Sequence, residues 1–129
     1  MTANSPPADS ILYSTHVLAV HDLAASREFY QRVLGFEDLN VPAPGWCFMQ
    51  RGGCRVRIGE CPDAMPAGDT GDHSYFAYIY LEQAAEFYAH VQAEGADIIK
   101  PIQDEVWGMR EFGIRTPDGH RIMFGERTG

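Results

Sequence analysis

The stretch GHRIMFGE, residues 119–126, has a close counterpart in GCRVRIGE, residues 53–60. A glycine, an arginine, a β-branched residue and a Gly-Glu pair recur at the same offsets: Gly53 and Gly119, Arg55 and Arg121, Val56 and Ile122, Gly59 and Gly125, Glu60 and Glu126. Each stretch begins at a glycine-containing turn, and its residues are typical of a β-strand. A repeated strand in a chain of 129 residues indicates two copies of one structural unit.

The elements that precede the first copy follow from local residue patterns. Residues 11–20 are rich in strand-forming residues and roughly alternate in polarity, which predicts a strand. Asp22 predicts the N-cap of a helix that ends before Gly35. WCFMQR, residues 46–51, and the first copy flank a Gly-Gly pair, which predicts a β-hairpin.

A similar order of elements, with one more strand after the helix, precedes the second copy. SYFAYIYL, residues 74–81, predicts a strand, and residues 83–94 predict a helix that stops at Gly95. ADIIKPI, residues 96–102, and WGMREFGIR, residues 107–115, predict two further strands. The turn sequence TPDGH then leads into the second copy.

Each half therefore predicts a β-α-β-β-β unit. The predicted fold class is α+β, with two tandem βαβββ modules that form a cupped mixed sheet. We expect a disordered tail at residues 1–10 and a single domain over residues 11–127. Within that domain, module one spans residues 11–60, a Pro- and Gly-rich linker spans 61–72, and module two spans 73–127.

Composition excludes several classes of protein. A formal net charge of −8 argues against a nucleic-acid-binding surface, which needs a concentrated basic face. No apolar run approaches the length of a membrane span, and the N-terminus lacks the features of a secretory signal. The 3 cysteines form no CxxC pair and are expected as buried or half-buried reduced thiols. These features predict a cytoplasmic protein.

Two strings carry a resemblance to a known family: VHDLAASREFYQRVLGFE, residues 20–37, and WGMREFGIRTPDGHRIMFGE, residues 107–126. Together with the duplication, they resemble the vicinal oxygen chelate superfamily, which includes glyoxalase I, fosfomycin-resistance proteins, extradiol dioxygenases and bleomycin-resistance proteins. The resemblance covers residues 11–127 and is closest to the metal-free, bleomycin-resistance-like members. It implies a homodimer but no particular substrate, because this fold hosts several unrelated chemistries.

In the metal-using members of this superfamily, each module contributes two ligands, typically His or Glu, from its first and last strands. Carried over one position at a time, the resemblance places these ligands at Thr15, Arg57, Phe76 and Met123. None of the four is a good ligand, because a guanidinium repels a cation and a thioether suits soft metals only. The resemblance therefore implies that no metal or other cofactor is bound.

Other potential donors lie out of phase with these positions. A shift of one residue along a strand turns a side chain to the opposite face, so His16 should point away from the cleft unless a bulge intervenes. The same argument from strand phase applies to His73, Glu60 and Glu126. The remaining histidines are expected to be solvated in a loop, on a helix and in a turn: His21, His90 and His120.

Strand parity and the resemblance together predict the residues that line the cleft in place of metal ligands: Tyr13, Thr15, Arg57, Phe76, Tyr78, Tyr80, Trp107 and Met123. Tyrosine hydroxyls suit a wet, ligand-facing wall. Arg57 would place a permanent cation at the cleft floor, where its planar fork could hold a carboxylate or a polarised oxygen. The alternatives are core packing for the aromatic residues and an exposed strand position for Arg57.

The predicted function is metal-free binding of a small planar or anionic molecule by a homodimer, and antibiotic sequestration is one use of such binding. One alternative is a metal-dependent lyase, isomerase or dioxygenase, as in glyoxalase. A second alternative is catalysis without a metal, in which Arg57 stabilises negative charge and a tyrosine moves protons. The residues favour a binding protein over an enzyme.

Overall fold

The computed structural model describes residues 12–69 and 74–129. The elements of module one are, in chain order, β1 (His16–Val20), α1 (Leu23–Arg32), β2 (Glu37–Asp38), β3 (Trp46–Arg51) and β4 (Cys54–Glu60). Its sheet has the spatial order β1-β4-β3-β2, with β1 parallel to β4 and the other neighbours antiparallel. The expected tail and His73 lie outside the described residues.

Module two repeats this arrangement. Its elements are β5 (Tyr75–Tyr80), α2 (Ala84–Ala93), β6 (Asp97–Asp104), β7 (Met109–Arg115) and β8 (Arg121–Arg127). The spatial order is β5-β8-β7-β6, and β5 is parallel to β8, as β1 is to β4. The α+β class and the two βαβββ modules predicted from the duplication are confirmed.

The repeated Gly-Glu pair ends the last strand of each module at the start of that module's helix. In module one, a carboxylate oxygen of Glu60 accepts a hydrogen bond from the Leu23 N–H at 3.1 Å. In module two, Glu126 accepts hydrogen bonds from the N–H groups of Gln83 and Ala84, both at 3.2 Å. Because the first N–H groups of a helix have no partner within the helix, both glutamates act as capping residues. This role explains why they point away from the predicted cleft.

One contiguous hydrophobic core joins the two modules and covers one face of each sheet. In β1 and β4, Leu18 and Ile58 are buried against this core, whereas Val17 and Arg57 are exposed on the opposite face. In β8, Ile122 and Phe124 are buried in the same way. The alternation leaves each four-stranded sheet with one face that no described helix covers, and we call these the two open faces.

The structure corrects the first predicted strand. Regular pairing begins at His16, so Tyr13 and Thr15 precede β1 instead of forming part of it. The two-residue strand β2 lay in a stretch without a recognisable strand pattern, because Glu37 and Asp38 are both polar. Helix ends agree with the prediction, since Gly35 and Gly95 adopt φ values of 76° and 82° beyond α1 and α2.

Both helices contain 10 residues, and among the described residues none is long and apolar enough to cross a bilayer. The cysteines are free thiols, as expected from the sequence. Their burial differs from one to the next: Cys47 is buried and Cys54 half-buried, but Cys61 is exposed, contrary to expectation.

Candidate functional site

The open face of module one carries an arginine between aromatic rings. Val17, Arg57 and Phe48 are cross-strand partners on β1, β4 and β3, so their side chains share this face. The Arg57 guanidinium lies 4.6 Å from the centroid of the Phe48 ring and 5.9 Å from that of Trp46. Arg57 forms no ion pair within the described residues. We call Val17, Trp46, Phe48 and Arg57 the arginine face.

The open face of module two carries aromatic side chains around a buried carboxylate. Tyr78 and Tyr80 project from β5 with ring centroids 4.9 Å apart, and Met123 is the β8 partner of Tyr78. Trp107, in the turn between β6 and β7, is 61% exposed. We call Tyr78, Tyr80, Trp107 and Met123 the tyrosine face.

The repeated glycine has the same function on both faces, which is to let an aromatic side chain lie across the sheet. A Cβ atom at Gly59 would come within 2.9 Å of the Trp46 ring. A Cβ atom at Gly125 would come within 2.0 Å of the Tyr78 hydroxyl. Any larger residue at either position would push the ring away from its sheet.

Glu111 holds the tyrosine face together. This residue is 5% exposed, and its carboxylate accepts hydrogen bonds from the Tyr78 hydroxyl at 2.8 Å and the Trp107 indole N–H at 3.2 Å. Its other oxygen pairs with the Lys100 ammonium at 2.6 Å. Two aromatic side chains that are open to solvent are thus fixed in orientation by one buried anion.

The ionisation states follow from these contacts. Burial alone would raise the pKa of Glu111, but hydrogen bonds from Lys100, Tyr78 and Trp107 lower it overall. Burial and the hydrogen bond to Glu111 raise the pKa of Tyr78, so its phenol stays protonated at neutral pH. A tyrosine held in this way is a poor general base, which weighs against the proton-moving role considered from the sequence.

The predicted site residues separate into three groups. Tyr78, Tyr80, Trp107 and Met123 gather on the tyrosine face, and Arg57 lies on the arginine face of the other sheet. Tyr13 and Thr15 lie in the segment before β1, where the Tyr13 ring packs against the Arg55 guanidinium at 4.2 Å. The sequence pattern grouped these residues in one cleft, but within a single chain they occupy two separate sheets.

Phe76 differs from its predicted orientation. The pairing of β5 with β8 shifts between Tyr75 and Ala77, so Phe76 is the extra residue of a β-bulge. Its ring packs against the core and contacts His16 and His120 edge-on, with centroids 5.5 and 5.9 Å away. Phe76 therefore does not share the face of Tyr78 and Tyr80.

The four positions implied by the resemblance do not fit a metal ion. Thr15 precedes β1, Phe76 faces the core, and the guanidinium of Arg57 would repel a cation. His16 lies in phase with the buried residue Leu18, away from the open face, as expected from parity. Within residues 12–69 and 74–129, no three His, Cys, Asp or Glu side chains form a group suited to a metal.

Two histidines expected in solvent have structural partners instead. The His21 backbone N–H and ring Nδ1 both lie 2.9 Å from Asp118 Oδ1, which joins the start of α1 to the turn before β8. The hydrogen bond from the His21 ring to Asp118, together with one from the ring to the Ala64 carbonyl, raises the pKa of His21. His120 is half-buried against Phe76, and burial lowers its pKa. His90 is exposed on α2, in agreement with the prediction.

Sequence analysis missed Glu111 and Lys100. The signal was present in MREFGIR, where a single acid stands beside the apolar run Phe112–Ile114 and would need a partner if it were buried with that run. Its partner Lys100 is close in the sheet, but the register of β6 against β7 is interrupted and could not be deduced from the sequence.

Comparisons with known proteins agree with this architecture. A family model described as the Glyoxalase/Bleomycin resistance protein/Dioxygenase superfamily matches residues 12–124. TioX from Micromonospora sp. ML1 superimposes with a TM-score of 0.76 at 24% identity, over 90% of this chain and 98% of that chain. No curated protein matches the sequence.

Two further solved structures have the same fold. TnmS3, an antibiotic binding protein from Streptomyces sp. CB03234, gives a TM-score of 0.74 at 18% identity, over 91% of this chain and 96% of that chain. A bleomycin resistance determinant encoded on the transposon Tn5 gives a TM-score of 0.74 at 22% identity, over 91% and 98% of the two chains. Identities this low establish the fold alone.

Proposed function

Because the chain belongs to the glyoxalase/bleomycin resistance protein/dioxygenase superfamily, we propose that it is a metal-free member that binds a small planar molecule in the cytoplasm without converting it. The observation that carries this proposal is the tyrosine face. Its rings are exposed, and those of Tyr78 and Trp107 are tethered to the buried Glu111, as expected of a preformed wall for a flat ligand.

The ligand is a neutral or anionic planar molecule. Arg57 supplies a cation without an ion-pair partner among the described residues, and its guanidinium stacks on Phe48. A guanidinium in this setting favours a carboxylate or a polarised carbonyl and opposes a cationic ligand such as bleomycin. Sequestration of a planar antibiotic that is uncharged or acidic is the biological use that fits both faces. The antibiotic-binding neighbour TnmS3 supports this use.

A second copy of the chain completes the site in this proposal. Each sheet leaves one face open, and a flat ligand held on a single open face would remain half in water. A homodimer in which the arginine face of one copy meets the tyrosine face of the other would enclose the ligand between them. Both halves of the predicted cleft would then come together across the interface.

The test is a titration of the intrinsic tryptophan fluorescence of Trp46 and Trp107 with a panel of aromatic acids and planar antibiotics. We expect Arg57→Ala to weaken binding of the anionic ligands by about 1.5–3 kcal/mol, the range for a charge-assisted hydrogen bond. Arg57→Lys should recover only part of this loss, because a point charge cannot reproduce a planar fork.

Two controls accompany the titration. Arg32→Ala removes an arginine of helix α1 that is paired with Glu94 and lies on neither open face, and it should leave affinity unchanged. Exhaustive treatment with a chelator should also leave affinity unchanged, and elemental analysis of protein purified without a metal-affinity tag should find far less than one metal per chain. Binding that depends on a stoichiometric metal would refute the proposal and favour the enzyme alternative.

A further inference from the structure

A cavity of about 440 Å³ lies at the junction of the two modules, away from Arg57 and Trp107. The turn of the β3–β4 hairpin forms one side. Tyr78, Tyr80 and Leu81, at the end of β5, form another, so the cavity adjoins the tyrosine face. Ser14 and His16 contribute from the start of β1. The volume falls in the range of pockets that hold small organic ligands, about 300–1,000 Å³.

The charge of this cavity is opposite to that of the protein. The chain has 18 acidic and 10 basic side chains, yet Arg51 and Arg55 line the cavity and no acid does. Neither arginine has an ion-pair partner among the described residues. Most of the other basic side chains are paired with carboxylates: Arg27, Arg32, Lys100, Arg110 and Arg115. Unpaired cations are thus concentrated on one hairpin of an acidic protein.

Both guanidiniums are held in place by contacts that leave donors free. Arg51 Nη1 donates to the Leu34 carbonyl at 3.0 Å, and its guanidinium covers the Phe87 ring at 4.3 Å. Arg55 packs against the Tyr13 ring at 4.2 Å. Burial around the Arg51 guanidinium lowers its pKa, a cost that a bound anion would offset. An arginine whose orientation is already fixed loses little conformational entropy when it binds an anion.

Part of the remaining wall is apolar. Phe36 and Phe124 are core residues that reach the cavity, and Leu81 closes its end. A fully hydrated inorganic ion would leave these surfaces without contacts, whereas an organic body would bury them. The combination calls for one anionic group attached to an apolar body.

We propose that this junction cavity is a second binding site, for a small organic carboxylate. It shares Tyr78 and Tyr80 with the neighbouring tyrosine face but holds its ligand through Arg51 and Arg55. The carboxylate lies between Arg51 and Arg55 and accepts hydrogen bonds from both guanidiniums. The apolar body lies against Phe36, Leu81 and Phe124. Because the cavity is built from both modules, an occupied site stabilises their packing against each other.

Titration of the isotopically labelled protein with benzoate, followed by amide NMR, tests the proposal. Gly52 and Gly53 line the cavity, so we expect their amide signals to shift and to saturate with a Kd on the order of 1 mM. Arg55→Gln should weaken benzoate binding by about tenfold or more, the effect of losing a charge-assisted contact. Benzamide, a neutral molecule of the same shape, should bind at least about tenfold more weakly than benzoate.

Arg127→Gln is the matched control, because it removes the same charge from an arginine that does not line the cavity, although the Tyr80 ring on which it stacks does. Arg51→Lys complements Arg55→Gln, since removing Arg51 altogether would also break its contacts with Leu34 and Phe87. We expect Arg127→Gln to bind benzoate like the wild type and Arg51→Lys to bind more weakly.

Equal benzoate affinity in Arg55→Gln and the wild type would overturn the inference. Unchanged Gly52 and Gly53 signals, or equal binding of benzamide, would overturn it as well. Gly113 and Gly125 lie on the open face of module two and report on the planar-ligand site. Shifts confined to those two glycines would therefore refute the junction site and leave the proposed function intact.

Discussion

At Glu111, a single carboxylate accepts hydrogen bonds from two aromatic side chains and pairs with a lysine. The polar atoms of Tyr78 and Trp107 are therefore occupied before any ligand arrives. What remains available is the flat surface of each ring, which favours stacking over hydrogen bonding to a ligand. In the proposed function, Glu111 is therefore a positioning residue, because it presents these flat surfaces to a planar ligand.

The variant Glu111→Gln should weaken this arrangement. The neutral amide keeps one acceptor oxygen but places an N–H₂ group where Lys100 now pairs with a carboxylate oxygen. We expect the free energy of unfolding to fall by about 1–3 kcal/mol, the cost of leaving a buried polar group poorly paired. Urea denaturation measures this loss, and the emission of Trp107 should shift as its indole becomes mobile.

Asp104→Asn is the comparison for this measurement. It removes a carboxylate that pairs with Arg110 on the exposed end of β6 and β7, so stability should hardly change. If the two variants unfold at the same urea concentration as the wild type, Glu111 does not organise the tyrosine face.

Among the elements, the two helices begin differently although their modules are copies. In α1, Asp22 is the N-cap and accepts from the Ala25 N–H at 3.1 Å, and Glu60 adds a second acceptor. In α2, the N-cap Gln83 has φ 59° and makes no side-chain capping bond. Glu126 therefore supplies the capping that Asp22 and Glu60 share in module one.

We expect Glu126→Ala to destabilise the protein more than Glu60→Ala. Loss of a helix cap costs about 1–2 kcal/mol, and Glu126 has no substitute at the start of α2 among the described residues, whereas Asp22 remains at the start of α1. Thermal or urea unfolding of both variants gives the comparison. Glu126→Gln, which keeps both the length and an acceptor oxygen, should retain most of the stability. A larger loss in Glu60→Ala would contradict this account.

The elements were largely predictable from the sequence, because local signals set them. The glycines after each helix, the hairpin glycines and the repeated final strand all act within a few residues. The site was predictable only in part. The parity of Tyr78, Tyr80 and Met123 followed from strand alternation, but the bulge that turns Phe76 inward depends on pairing between β5 and β8.

At the scale of the whole molecule, the sequence showed two modules but not how they pack. A core shared by both modules covers one face of each sheet and leaves the other face open. This packing depends on contacts between distant segments, such as Arg51 with Phe87 and His16 with Phe76. Strand alternation determines which side of its own sheet a residue occupies. It carries no information about which sheet that residue will face.

The open faces predict self-association. Val17, Tyr80 and Trp107 are each more than 60% exposed, and burying such side chains is favourable at about 25 cal/mol per Å². We expect sedimentation velocity to show a dimer at low micromolar concentration. Val17→Asp, which places a buried charge in the proposed interface, should shift the protein toward monomer.

Met65→Asp is the matched control for this experiment. Met65 is 71% exposed but lies between the modules in sequence and on neither open face, so its replacement should leave the dimer intact. A wild-type protein that sediments as a monomer at every concentration would exclude an interface built from the two open faces.

The capping glutamates also set an order of events during folding. Glu60 is 37 residues from its partner Leu23, and Glu126 is 42 residues from Ala84. Each helix can therefore form early from local contacts, but its first turn gains these carboxylate acceptors only when the last strand of the same module has docked. Docking of β4 or β8 and completion of the helix are thus one event. We therefore expect the first turn of each helix to become ordered together with the closing strand of its own module.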